Sequence, residues 1–77
     1  MVSLNSLKTG DRGKVVRIAE GGQAYRSKLL SMGVTPGTEF SIVRFAPLGD
    51  PIELEIRGYR LSLRKAESEI VMVEVAT

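Results

Sequence analysis

The sequence contains no cysteine, no histidine and no tryptophan. Without cysteine, the chain can form no disulfide, no thiolate ligand and no cysteine nucleophile. Without histidine, it lacks the commonest general base and the commonest side-chain ligand of transition metals. A metal would have to bind through carboxylates, carbonyl groups and water. We therefore expect no metal site, no cofactor and no catalytic residues in this protein.

Long hydrophobic segments and linkers are also missing. No apolar run approaches the ~20 residues that a membrane-spanning helix needs, and the N-terminus lacks the basic-then-apolar order of a signal peptide. The 77 residues contain no repeat and should form a single domain, 1–77, around one core. So small a domain has little structure to spare for a cleft of ~300 Å³, the size of a small-molecule site. We therefore predict a cytoplasmic domain that is not an enzyme.

Charge of one sign is not concentrated along the chain. Eleven basic and nine acidic residues give a formal net charge of +2, and glutamates interrupt the basic residues in nearly every segment. Domains that bind nucleic acid usually gather Lys and Arg along one stripe. The charge pattern therefore disfavours nucleic acid as a partner.

The segment GGQAYRSKLLSMGV predicts a helix. Its apolar residues recur at helical spacing and should face the core: Tyr25, Leu29 and Met32, with Leu30 widening the stripe. Arg26 is then available to solvent. Gly33 stands where a left-handed C-terminal cap would lie, and Pro36 with Gly37 predicts a type II turn. The helix should therefore end at a stiff corner that leads into a strand.

Five segments predict strands. They are KVVRIAE, EFSIVRFA, IELEIR, RLSLRK and IVMVEV, with KAESE favouring a single helical turn before the last. The helix lies between strands one and two. Short strands with local connections predict a mainly β fold, a small, partly open barrel of the SH3-like kind. The OB-fold is the competing five-stranded barrel, but its helix normally lies between strands three and four.

The alternation in IELEIRGYRLSLRK predicts a β-hairpin. Gly58-Tyr59 fits a two-residue type II′ loop, which would place Arg57 opposite Arg60 and Glu53 opposite Arg64. Apolar residues of both strands then share one face, so the turn and the pattern agree. Charges on the other face are expected to be solvated and to form weak ion pairs.

Two pairs of carboxylates could be interpreted as an acid/base pair or as a cation-binding site. Glu53 and Glu55 lie about 6.6 Å apart along a strand and point to solvent, with no burial to separate their pKa values. Glu67 and Glu69 flank Ser68 and could hold a hard cation weakly, although a solvated turn is favoured. We assign a catalytic role to neither pair.

Two places are not explained by core packing. Leu48 is held between prolines at a loop tip, where an exposed leucine could anchor a partner, although a singly exposed leucine is also normal. At the hairpin turn, arginines flank an exposed tyrosine, and these residue types dominate interface energies. The plain alternative is a solvated hairpin. The predicted partner-contact residues are Arg26, Pro47, Leu48, Asp50, Arg57, Tyr59 and Arg60.

Four motifs occur in a fixed order along nearly the whole chain: SLKTGDRGKVVRI, LLSMGVTPG, APLGDP and RGYRLSLR. Together they resemble the FeoA family, the small cytosolic component of bacterial ferrous-iron uptake. The resemblance implies an SH3-like barrel with a helical insertion, in agreement with the strand order. It associates the domain with transition metals only at the level of the family.

The resemblance also implies an accessory role. The family is thought to act with FeoB, a membrane iron transporter that bears a cytosolic GTPase domain, by docking on that domain. Because the chain lacks histidine and cysteine, we predict a protein-binding module rather than an iron carrier, with weak self-association allowed. A related SH3-like module ends some iron-dependent repressors. The alternative is thus a free-standing module that binds peptides or nucleic acid.

Overall fold

The computed structural model describes residues 1–20 and 23–76. The strands are β1 (Val2–Ser3), β2 (Arg12–Ile18), β3 (Glu39–Phe45), β4 (Ile52–Ile56), β5 (Tyr59–Leu63) and β6 (Val71–Val75). The helices are α1 (Gln23–Ser31), α2 (Lys65–Glu69) and a 3₁₀ turn at Leu4–Ser6. All strand pairs are antiparallel, in one sheet of order β1-β6-β2-β3-β4-β5.

The predicted mainly β class is confirmed, with one difference in strand count. The five predicted strands form, and the short β1 pairs with β6 as a sixth. With β1 counted, the inserted helix lies between β2 and β3. These two strands are the predicted first and second strands, so the predicted position of the helix in the chain is correct. Two residues of the predicted helical segment, 21 and 22, lie outside the described residues.

A β-bulge reverses the alternation within β2. The pairing of β2 with β6 shifts register between Val15 and Arg17, so one extra residue is accommodated there. Val15 and Ile18 are consequently both buried despite their odd spacing. Regular alternation in the predicted strand KVVRIAE would place Val16 on the same face as Ile18, and the bulge makes this prediction wrong. A second bulge in β3 explains its apolar residues of both parities.

The core lies on one face of the curved sheet and is closed by residues from the turns and helices. Its buried hydrophobic members are Leu4, Val15, Ile18, Leu29, Val34, Phe40, Ile42, Ile52, Leu54, Ile56, Leu63, Val71 and Val73. Gly13 is buried in the sheet, where the carbonyl group of Glu74 and the ring of Phe40 lie against its Cα. β2, β3 and β6 therefore meet closely at a position without a side chain.

The β4–β5 hairpin has a different turn from the one predicted. Ile56 pairs with Tyr59, so the two-residue loop is Arg57-Gly58. Both loop residues have positive φ (51° and 84°), as a type I′ turn requires. The register differs by two residues from the prediction, and because two is even the same side chains still face the core.

The new register also changes the charge pairs of the hairpin. Glu55 lies opposite Arg60, so the predicted Arg57–Arg60 pair is wrong. Glu53 lies opposite Ser62 and forms its ion pair with Arg44 of β3 at 2.5 Å, not with the predicted Arg64. These charges remain on the outer face, as the alternation predicts.

Helix α1 rests on the sheet through a single buried side chain. Of its residues only Leu29 is buried, and Tyr25 is 43% exposed. The prediction that Tyr25 and Leu30 face the core is therefore wrong, because the helix touches the sheet along too narrow a line. The cap is confirmed: Gly33 has φ of 94°, and the N–H of Val34 donates to the C=O of Leu29 at 3.0 Å.

The corner after α1 is a type II turn, as predicted. The N–H of Thr38 donates to the C=O of Thr35 at 3.0 Å, and Gly37 has φ of 90°. In the part of the chain that the structure describes, neither helix is long and apolar enough to cross a membrane.

Candidate docking site

The loop between β3 and β4 presents Leu48 to solvent. We call residues 46–51 the proline loop. Its ends are joined by hydrogen bonds from Gly49 N–H to Ala46 C=O (2.7 Å) and from Ala46 N–H to Pro51 C=O (3.0 Å). Leu48 is 96% exposed at the tip, and the neighbouring Pro47 is also exposed. A large apolar side chain is thus presented on a closed loop and contributes nothing to the core.

Asp50 ties the proline loop to the rest of the domain. Its Oδ1 accepts a hydrogen bond from the backbone N–H of Lys65 at 3.1 Å. The guanidinium of Arg64 lies 3.9 Å from the same oxygen. The carboxylate of Asp50, which was predicted to contact a partner, therefore binds to groups of the domain itself. These bonds orient the loop that carries Leu48.

The hairpin tip, residues 57–59, is bound to the end of α1. The hydroxyl of Tyr59 donates a hydrogen bond to the carbonyl oxygen of Met32. The guanidinium of Arg57 donates to Thr38 Oγ1 at 3.4 Å. Cations and donors suit a helix C-terminus because its last carbonyl groups have no partner within the helix. Of the predicted contact residues, Tyr59 therefore bonds to the end of α1 and Arg57 to the turn that follows it, while Arg60 is exposed on β5.

Two further polar contacts position α1. Arg26, predicted as a surface contact, donates from its guanidinium to the carbonyl oxygen of Ile18 at the end of β2 (3.1 Å). Lys28 Nζ lies 2.6 Å from Glu67 Oε2, which joins α1 to α2. A helix with so little buried surface thus depends on contacts at both ends and in its middle.

The environment of Glu67 differs from the one that the sequence predicted. Glu67 is 2% exposed rather than solvated, and its Oε1 accepts the backbone N–H of Arg64 at 2.8 Å. The available signal was its place at the third position of a helical turn, where a glutamate caps the helix start. Glu69, by contrast, is exposed as expected.

The surroundings of Glu67 favour its charged form. Burial alone would raise the pKa of Glu67, but the hydrogen bonds from Lys28 and from Arg64 N–H, with both positive charges, outweigh it. The pKa therefore lies below its ordinary value of 4.5. The pKa of Glu67 is lower in the folded state than in the unfolded state. The charged carboxylate therefore stabilises the fold fully at pH values above the unfolded-state pKa, and this contribution is lost as pH falls through the folded-state pKa.

Glu67→Gln should lower the free energy of unfolding at pH 7 by about 1 kcal/mol, since a charge-assisted hydrogen bond is lost while Lys28 stays half exposed. The gap between variant and parent should close as pH falls below about 4.5 towards the folded-state pKa. Urea unfolding at several pH values measures it. Glu69→Gln in the same helix is the control and should change little, whereas a pH-independent gap for Glu67→Gln would contradict the account.

The candidate contact residues fall at two separate places. The proline loop leads into the start of β4, and the hairpin tip follows its end. The nearest residues of the two regions, 51 and 57, are six residues apart along an extended strand, which corresponds to about 20 Å. Arg26 and Tyr59 therefore make contacts that involve α1, and Arg57 bonds to the turn after it. Pro47, Leu48 and Asp50 lie at the other end of the hairpin.

Metal-binding chemistry finds little support in the side chains that the structure describes. Among them, no three His, Cys, Asp or Glu residues are close enough to share a metal ion. An open groove runs where β2 passes between β3 and β6, with Lys14 between Glu39 and Glu74. Its charges of opposite sign alternate across the strands, which is the arrangement of an ordinary sheet surface.

An antiparallel six-stranded sheet with a helix inserted ahead of β3 is the architecture of a small SH3-like domain. Stenotrophomonas maltophilia FeoA in complex with zinc, described as a prokaryotic SH3 domain protein, matches with a TM-score of 0.82 at 23% identity, over 96% of this chain and 91% of that chain. A manganese-dependent transcriptional repressor matches over 97% of this chain and 41% of its own, with a TM-score of 0.90 at 17% identity. These likenesses concern the fold alone, and they confirm the predicted SH3-like class.

The chain belongs to the FeoA domain family, which it matches over residues 2–75. A FeoA-like protein from Clostridium acetobutylicum is 42% identical, with a TM-score of 0.91 over 99% of this chain and 87% of that chain. The Fe(2+) transport protein A/Fe(2+) transporter FeoB fusion protein of Porphyromonas gingivalis is 38% identical over 72 residues, 94% of this chain. This chain spans 8% of the length of that fusion protein. The family predicted from the motifs is therefore confirmed.

Proposed function

We propose that this protein is a non-enzymatic, cytoplasmic accessory of ferrous-iron transport that binds a FeoB-type membrane transporter on its cytosolic GTPase domain. Membership of the FeoA family supports the role in iron transport. The Porphyromonas gingivalis fusion protein supports the partner, because it joins a related segment to FeoB within one chain. Covalent joining keeps two interacting parts at a high effective concentration.

The exposed Leu48 is the observation that carries the docking assignment. An aliphatic or aromatic side chain that fills a pocket on the partner can anchor an interface. A loop closed by hydrogen bonds across its base loses little conformational freedom on binding, so more of the contact energy appears as affinity. Leu48 is therefore the anchor, Pro47 flanks it, and Asp50 orients the loop.

Three of the remaining predicted contact residues serve the proposed function indirectly. Arg26 and Tyr59 bond to backbone carbonyl groups and position α1, and Arg57 bonds to Thr38 in the turn that follows α1. Arg60 stays exposed on β5. Weak self-association, which the sequence allows, is not needed for this function. In this role, iron itself is the transporter's cargo.

Leu48→Asp should reduce recovery of the transporter from detergent-solubilised membranes by tenfold or more, since losing a central anchor costs about 2 kcal/mol. The unfolding midpoint should not change, because surface changes usually stay within about 0.5 kcal/mol. Affinity purification of the tagged chain, followed by quantification of the transporter, measures recovery.

The matched control is Leu30→Asp, which places the same charge on an exposed leucine of α1. We expect this variant to recover the transporter like the parent chain. Loss of recovery with Leu30→Asp alone would move the docking site to α1. Unchanged recovery with both variants would overturn the assignment of the proline loop.

A further inference from the structure

Strand β5 forms one edge of the sheet, with β4 as its neighbour on the other side. Across a two-residue loop, the flanking residues Ile56 and Tyr59 exchange both of their backbone hydrogen bonds. Antiparallel strands alternate between hydrogen-bonded and non-hydrogen-bonded pairs. The N–H and C=O groups of Arg60 and Ser62 must therefore point away from β4, along the outer edge.

These four backbone groups have no partner among the described residues. Neither Arg60 nor Ser62 contributes a main-chain group to a turn, loop or cap hydrogen bond there, and β5 pairs with no strand but β4. Both residues are exposed. An edge strand with free N–H and C=O groups is a template to which another extended segment can add.

The side chains beside this edge define what could add to it. On the outer face, Arg60 lies opposite Glu55 of β4 but takes part in none of the ion pairs of the described residues. Arg64 lies 3.9 Å from Asp50 and is 71% exposed. On the inner face, Tyr59 is 43% exposed and Leu61 is half buried against the core. An added strand would therefore meet positive charge on one face and apolar surface on the other.

A second copy of this chain fits the edge poorly. Antiparallel pairing that uses the free groups has three registers, and each brings like charges together. Pairing Arg60 with itself, or Ser62 with itself, sets Arg60 directly opposite the second copy's Arg60 or Arg64. Pairing Arg60 with Ser62 sets it diagonal to both of those arginines, still within reach of their long side chains.

We propose that the β5 edge binds an extended segment of a partner protein in which acidic and apolar side chains alternate. The segment pairs with the free main-chain groups of Arg60 and Ser62. Its carboxylates face Arg60 and Arg64, and its apolar side chains pack beside Tyr59 and Leu61. This site is independent of the docking function assigned to Leu48.

The test uses ¹⁵N-labelled full chain and the synthetic peptide acetyl-Val-Glu-Val-Asp-Val-Glu-amide. Titration should shift the amide signals of Arg60 and Ser62 and slow their exchange with solvent. A peptide with Lys at the three acidic positions should bind at least tenfold more weakly, because it places like charges beside the arginines. Raising the salt concentration should weaken the binding of the acidic peptide, since salt screens exposed charges.

Two variants separate backbone pairing from charge. Ser62→Pro removes the outward N–H and is tolerated at a sheet edge, so it should weaken binding about tenfold relative to Ser62→Ala, which keeps that N–H. Arg60→Glu should reverse the preference in favour of the Lys peptide. This second variant decides the matter if Ser62→Pro does not fold.

Three results would overturn the proposal. The first is equal binding of the two peptides, and the second is equal binding by Ser62→Pro and Ser62→Ala. The third is a different occupant: tighter binding of a single-stranded oligonucleotide to the same amides, or protection of those amides by self-association in the free protein. Loss of peptide binding with intact transporter recovery, or the reverse, distinguishes this site from the proline loop.

Discussion

Gly13→Ala should destabilise the domain by about 3 kcal/mol, at the upper end of the cost of overpacking a core. A methyl group there would lie closer to the carbonyl oxygen of Glu74 than a carbon atom can approach, and 3.2 Å from the ring of Phe40. Gly13 is paired with Phe40 on β3 and with Val75 on β6. Because the closest contact is with the backbone of Glu74, no movement of a flexible side chain can relieve the clash.

Gly49→Ala is the matched control for this prediction. Gly49 has φ of 82° but nothing near the position of a Cβ atom, so its substitution costs only the left-handed backbone penalty of about 1 kcal/mol. Urea unfolding followed by circular dichroism measures both variants. Equal destabilisation by the two substitutions would show that the approach of β2 to β6 is not tightly packed.

Leu29→Ala should lower the free energy of unfolding by about 3 kcal/mol, the middle of the range for a buried leucine. Leu29 is fully buried and is the one core residue of α1. A domain of this length is stable by about 4–12 kcal/mol in total, so the loss is a large fraction. The helix should also loosen, because only polar contacts then hold it.

Leu30→Ala supplies the comparison, because it removes the same atoms from the next residue, which is 38% exposed. We expect a change within about 0.5 kcal/mol, since exposed sites contribute little and alanine favours helix. Amide hydrogen exchange along α1 would show the loosening directly. If both substitutions had the same effect, α1 would not be anchored by Leu29.

Local patterns predicted the hairpin's faces but not its register. The alternation of IELEI and YRLSL places Leu54 and Leu63 on the core side in either register, because the two registers differ by an even number. The turn type depends on Arg57, a non-glycine residue with positive φ whose guanidinium bonds to Thr38 across the fold. No local rule contains that contact.

For helix α1, too, local sequence predicted some features, whereas others depend on tertiary contacts. Its cap at Gly33 and the following turn were predictable, because each needs one glycine with positive φ. The exposure of Tyr25 was not, since helical spacing does not reveal how much of a helix touches the sheet. The two bulges and the burial of Glu67 were hidden for the same reason, because partner strands and helices determine them.

The candidate docking site was predictable in part. The flanking prolines marked Leu48, which is the most exposed of the large hydrophobic residues that the structure describes. The sequence also predicted the arginine–tyrosine cluster at the hairpin as a contact site. In the structure, Tyr59 bonds to Met32 and Arg57 bonds to Thr38. Sequence showed which side chains lacked a place in the core, and the structure showed which of them bond within the domain.

Calorimetric titration of the purified chain into the cytosolic GTPase domain of the transporter, with and without bound nucleotide, tests the proposed function most directly. The account predicts saturable one-to-one binding in at least one nucleotide state, which Leu48→Asp abolishes and Leu30→Asp retains. No binding by the folded parent chain in any nucleotide state, or equal binding by Leu48→Asp, would contradict it.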